Sequence, residues 1–148
     1  MKKNVLTLIA GIAALFLMAG HAGAHCEIPC GIYDDQMRID LIFEHITTIE
    51  KSMNEIMALD KKEHDNSNQL IRWVMNKEKH ADNIQEIVSQ YFLTQRIKPS
   101  TDKYPKKLAV LHQMLVSAML CKQSTDLGHV KTLRELTTTF KALYLGSK

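Results

Sequence analysis

With 148 residues, 45% of them hydrophobic, the chain has room for one ordinary globular domain and carries no sign of a second. Its 19 basic and 16 acidic residues nearly balance, which argues against a nucleic-acid partner, since that role needs Lys and Arg gathered on one face. Strand-like alternation, tandem repeats and low-complexity stretches are all missing, so nothing competes with a helical reading.

The chain opens on Lys2 and Lys3, runs through an apolar stretch from Val5 to Met18, and reaches Ala22-Gly23-Ala24. That is the three-part layout of a secretory signal peptide. A membrane anchor would need about 20 apolar residues to cross the hydrocarbon core, and this run is shorter and rich in Ala and Gly. The expectation is a leader over 1–24, cleaved on export to the periplasm or the outside of the cell, with no membrane attachment afterwards. Without Lys2 and Lys3 the 19 basic residues become 17 against 16 acidic, a net charge of +1.

The mature chain would begin His25-Cys26-Glu27-Ile28-Pro29-Cys30-Gly31-Ile32-Tyr33. Cleavage would place two thiols, an imidazole and a free α-amine within six residues. Thiolates are soft, strong donors, and an amine with a deprotonated amide beside Cys26 favours a square-planar Ni(II) or Cu(II) site. Structural zinc would call for two separated ligand pairs, and no second Cys/His pair with that spacing is present. Pro29 and Gly31 suit a tight hook over 25–33 that turns both sulfurs toward one ion. Cys121 lies far away in an apolar helical stretch and reads as a small buried hydrophobe.

From Asp34 the apolar residues recur at helical spacing. Ile42, Ile46, Ile49, Met53 and Ile56 form the first stripe. Leu70, Trp73, Val74, Ile84, Ile87, Val88 and Tyr91 form the second, ending near Ile97-Lys98-Pro99 because proline cannot donate a helical hydrogen bond. Pro105 suits a first turn, and Leu108, Leu111, Leu115 and Ala118 follow as the third stripe. Ser124-Thr125-Asp126 offers capping oxygens before Val130, Leu133, Leu136 and Phe140. Short connections and one-sided stripes predict an all-α, antiparallel up-down four-helix bundle over 34–148.

The segment 25–33 resembles the H-C-x-x-P-C-G-x-Y hook of nickel superoxide dismutases at every fixed position. Looser similarity extends through Arg38-Ile39-Asp40, Tyr91-Phe92 and Lys103-Tyr104-Pro105. The resemblance implies a nickel ion cycling between Ni(II) and Ni(III), superoxide as substrate, a homohexamer of four-helix subunits, and a peptidase that trims the leader. It also implies that His25 supplies the α-amine and an axial imidazole, Cys26 a thiolate and its amide nitrogen, and Cys30 the second thiolate. Tyr33 and Tyr91 correspond to tyrosines that line the substrate approach and hold ordered water. Asp40 stands where the family usually has a Glu orienting the imidazole. Glu27 replaces an Asp, and the Arg expected in the middle of the second helix is not evident near Asn76-Lys77.

Two rivals remain open at this point: a secreted helical protein with a Cys26–Cys30 disulfide, and a non-catalytic nickel or copper carrier. His25 directly after the Ala-Gly-Ala signal favours the metal site over the disulfide. Rapid superoxide turnover separates enzyme from carrier. Paired Glu-x-x-His motifs of di-iron bundles are missing, and His45, His64, His80 and His112 read as surface or interface residues. Lys77, Lys103, Lys106 and Lys107 are candidates for a positive rim that draws in a small anion.

Overall fold

Steps of three and four place Ile39, Ile42, Ile46, Ile49 and Met53 on one face of helix α1 (Asp35–Asp60), and all five are fully buried. The computed structural model describes residues 35–60 and 66–146. Helix α2 (Ser67–Glu86) continues without a break into a π-helical segment, Ile87–Arg96. Helices α3 (Tyr104–Gln123) and α4 (Leu127–Leu145) complete the described elements. The fold is the expected four-helix bundle.

Helix ends follow the local chemistry read from the sequence. The π-helical segment stops at Arg96, three residues before Pro99. Pro105 sits in the first turn of α3, where its missing N–H would have had no helical partner. Lys103, just before that helix, takes a left-handed conformation with φ of 53°. Asp126 caps α4 by accepting a 2.8 Å hydrogen bond from the Gly128 amide.

Each helix packs on two neighbours: α1 on α2 and α4, and α3 on α2 and α4. Contacts between α1 and α2 run in opposite directions along the two chains: Asp35 meets Tyr91, His45 meets His80, and Ser52 meets Asn76. That is antiparallel packing. Among the described residues no helix is long and apolar enough to cross a membrane.

The second stripe departs from expectation in its first half. Val74 is 38% exposed, beside Ile71 at 57% and Met75 at 64%. The inward line of α2 passes instead through half-buried Trp73 and buried Lys77, Ala81 and Ile84. Val74 is one residue, about 100°, off that line.

Lys77 is the unexpected member. It is 4% exposed, and its Nζ donates to the carbonyls of Cys121 (2.8 Å) and Lys122 and pairs with Glu78 at 3.1 Å. The last carbonyls of α3 have no partner within that helix and carry its negative dipole end, so a buried ammonium there acts as a cap supplied by another helix. Lys77→Met, which keeps the length and removes the charge, is expected to destabilise the bundle by about 1–3 kcal/mol, measurable as a lowered urea midpoint. An unchanged midpoint would show that water replaces the cap without loss.

Candidate active site

His25, Cys26, Cys30 and Tyr33 lie outside the described residues, as does the hook that carries them. The described structure begins two residues after Tyr33, so the chain carrying these residues joins the bundle at the end that holds Asp35.

That end is aromatic and polar at once. Phe92 is fully buried and meets Tyr91, Phe140 and Tyr144 edge-on at centroid distances of 5.1, 4.8 and 5.5 Å. Phe140 and Tyr144 stack at 5.3 Å. Tyr91 and Tyr144 bury their rings and turn both hydroxyls to one carboxylate. Tyr91 Oη donates to Asp35 Oδ1 at 2.7 Å, and Tyr144 Oη donates to Asp35 Oδ2 at 3.0 Å. Arg96 Nε donates to the same Oδ1 at 2.9 Å, and its terminal nitrogen donates to Tyr91 Oη at 3.0 Å. Asp35 is only 6% exposed.

The π-helical winding assembles this group. Around an α-helix, residues five apart lie about 140° from one another, and Arg96 would point away from Tyr91. In the Ile87–Arg96 segment the hydrogen bonding runs across five residues, as in Ile97 N to Phe92 O at 2.9 Å, so Tyr91 and Arg96 share a face.

Cations crowd the two rings. The guanidinium carbons of Arg38 and Arg96 lie 5.3 and 5.0 Å from the Tyr91 ring centre, and Lys107 Nζ lies 5.6 Å from that of Tyr144. Lys107 is buried at 2% exposure. Burial, reinforced by the hydrogen bond to Asp35, pushes the Tyr91 phenol above its ordinary range, and the same two causes push Tyr144 further. Both are therefore neutral at physiological pH.

Asp40 lies one turn further along α1 on the exposed surface. Its Oδ1 accepts from Gln36 Nε2 at 2.6 Å and from Lys141 Nζ at 3.3 Å. The Gln36 bond first, then Lys141, hold its carboxyl below the usual range, so it is ionised at neutral pH.

A protein-family model described as nickel-containing superoxide dismutase matches residues 20–148. The chain belongs to that family. It is an oxidoreductase acting on superoxide with a nickel cofactor. No curated protein and no solved structure gives a significant match.

The donor chemistry fits nickel at the hook. Among the described residues no three His, Cys, Asp or Glu side chains gather as a metal site. Cys121 is fully buried and free, and burial pushes its thiol up to about 11, so it stays protonated and is no candidate thiolate. The soft donors that a nickel superoxide dismutase needs are available in Cys26 and Cys30.

The positive rim read from the sequence needs correction at one position. Lys77 is bound to the end of α3, about 20 Å along α2 from Tyr91 by helical rise. Lys103 and Lys106 are exposed at the start of α3, while Lys107 turns inward to Tyr144. Arg38 and Arg96 are the cations that sequence reasoning missed. Asp35 and Tyr144 were missed as well, since the partners that give them a role lie on other elements, far away in sequence.

His45 and His80 form a pair across α1 and α2, with Nδ1 atoms 2.9 Å apart. Burial first holds both below the ordinary histidine value of 6.5. The charge of His80 adds to this at His45, and Lys79 adds to it at His80, while Glu44 opposes it at both. The folded state resists protonation here, whereas the unfolded chain takes up protons from about pH 6.5 downward. The pair's contribution is therefore complete above that pH and is lost as pH falls toward the folded-state values. Replacing both by Gln is expected to flatten the fall in melting temperature between pH 7 and 5; an unchanged slope would remove the pair as its cause.

Proposed function

We propose that the chain becomes active when a leader over 1–24 is cut away and His25 becomes the amino terminus. His25 then offers its α-amine and imidazole, Cys26 its thiolate and amide nitrogen, and Cys30 a second thiolate. Bound there, nickel supplies a Ni(II)/Ni(III) couple, which strongly donating thiolate and amide ligands bring within reach. Over one cycle two superoxide ions and two protons give one dioxygen and one hydrogen peroxide. The observation that carries this reading is the family match, which spans the hook and the bundle together.

The chain's own residues act on the anion and its protons. Arg38, Arg96 and Lys107 set a positive potential at the end of the bundle where the hook is tethered, and this raises the encounter rate of a small anion. Tyr91 is held neutral and hydrogen-bonded there, and with Tyr33 it borders the approach and orders water beside the metal. Asp40, ionised at the surface of α1, is the carboxylate assigned to steady the His25 imidazole.

Export of the chain, trimming by a peptidase and assembly as a homohexamer belong to the same proposal. Exposed Ile71, Val74 and Met75 on α2 and Val116 and Met119 on α3 give apolar area for subunit contact. The test is to load nickel into chains beginning at His25 and into full-length chains, then to follow superoxide consumption. The enzyme reading expects turnover only from the trimmed chain. Tight nickel binding without turnover would make the protein a carrier.

A further inference from the structure

The first turn of α1 does more than connect hook and bundle. We propose that Asp35 is the positioning residue of the site: by accepting from Tyr91, Arg96 and Tyr144 together it fixes the direction in which the Tyr91 hydroxyl donates. This rests on the nickel-hook reading for its link to catalysis, but its geometry stands on described residues alone.

Three features carry it. First, one carboxylate of 6% exposure gathers three donors from two elements, two from the π-helical segment of the second helix and one from the last turns of α4. A buried acid so surrounded is a fixed point, because losing any one donor would leave a desolvated charge poorly matched. Second, Asp35 opens α1, where a negative side chain is favoured by the helix dipole, and it lies five residues after Cys30. Whatever holds Asp35 in place also holds the point at which the preceding chain joins α1. Third, the helix carrying Tyr91 and Arg96 is wound as a π-helix through this stretch, the winding that brings both to one carboxylate.

The hydrogen-bond bookkeeping at Tyr91 then has a chemical result. A phenol has one proton and two lone pairs. Its proton is given to Asp35, and one lone pair takes a hydrogen from Arg96. Among the described residues this leaves one lone pair, so toward an arriving anion or water Tyr91 has only an acceptor to offer. It can hold a water that itself points a proton at the arriving anion, but it is not the donor. Removing the Asp35 charge would free the hydroxyl to turn and make ionisation of the phenol easier beside Arg96.

The test uses the nickel-loaded, trimmed enzyme in four forms: wild type, Asp35→Asn, Asp35→Asn combined with Tyr144→Phe, and Lys77→Met as a control for lost stability at the opposite end of the bundle. Ultraviolet titration of tyrosine ionisation and the pH profile of kcat/KM are read on each. The proposal expects Asp35→Asn to shift a tyrosine transition to lower pH, with the shift surviving in the double variant and therefore belonging to Tyr91. It also expects kcat/KM to fall about ten- to a hundredfold at neutral pH, with the alkaline limb moving in step with the titration. Lys77→Met should show neither shift. Asp35→Asn that loses stability alone, with titration and profile as in wild type, overturns the proposal. If wild type binds nickel without turnover, the hook reading fails separately, and an unmoved tyrosine titration in Asp35→Asn would still overturn the clamp.

Discussion

Cys30→Ser is expected to lower superoxide turnover by well over the roughly 100-fold that changes in outer partners of a metal ligand cost. The serine hydroxyl stays protonated at neutral pH and is a hard, weak donor, so the ligand field that brings Ni(III) within reach is lost with the sulfur. Cys26→Ser should do the same. Cys121→Ser should leave turnover nearly intact, because that thiol is buried and protonated and stands apart from any cluster of ligands among the described residues. Metal content and rate measured on the three variants check this. Equal losses from Cys121→Ser and Cys30→Ser would mean that the thiolates have been assigned wrongly.

Phe92→Ala is expected to destabilise the bundle by about 3–5 kcal/mol, a large share of the roughly 5–15 kcal/mol that holds a domain folded. Phe92 is fully buried and its ring is the meeting point of Tyr91, Phe140 and Tyr144. Truncation would open a cavity directly behind the two hydroxyls that Asp35 gathers. Phe92→Leu should recover most of the stability by refilling that space. Urea unfolding of both variants is the measurement; a loss below about 1 kcal/mol for alanine would mean that the aromatic cluster closes over the gap.

The scaffold was readable because burial imposes a period. Ile42, Ile46, Ile49 and Met53 are all fully buried, as their spacing required, and Asp126 caps α4 where its side chain was expected to. Cys121 is buried as its apolar neighbours implied. Tyr91 was singled out through family resemblance, and its partners were not, for a physical reason. Arg96 lies five residues beyond it, a spacing that points away on an α-helix and toward it only when the backbone winds as a π-helix. Asp35 and Tyr144 are 109 residues apart in sequence, and nothing local in either hints at the other. Lys77 was misjudged for a related reason: a lysine in a polar stretch reads as solvated, and the carbonyls it caps belong to another helix. His45 and His80 were expected at the surface or an interface; His45 is instead buried at 8% exposure and pairs with His80 between α1 and α2.

A candidate ligand set can be proposed from the sequence because its donors are concentrated within the six residues 25–30. In the proposed mature chain His25, Cys26 and Cys30 would offer amine, imidazole, amide and two thiolates without donors from elsewhere in the fold. What the bundle adds is a buried, cation-rich end at the start of α1, and this becomes visible only when α1, the π-helical segment and α4 are brought together.

The most direct test of the central claim is the Ni(III) paramagnetic signal of the nickel-loaded chain beginning at a free His25, recorded beside the same chain with one methionine placed ahead of it. The account predicts the signal, and superoxide turnover with it, in the free-His25 chain alone, because the added residue converts the α-amine into an amide. An equal signal and equal turnover in both chains would contradict it and would take the amino terminus out of the metal site.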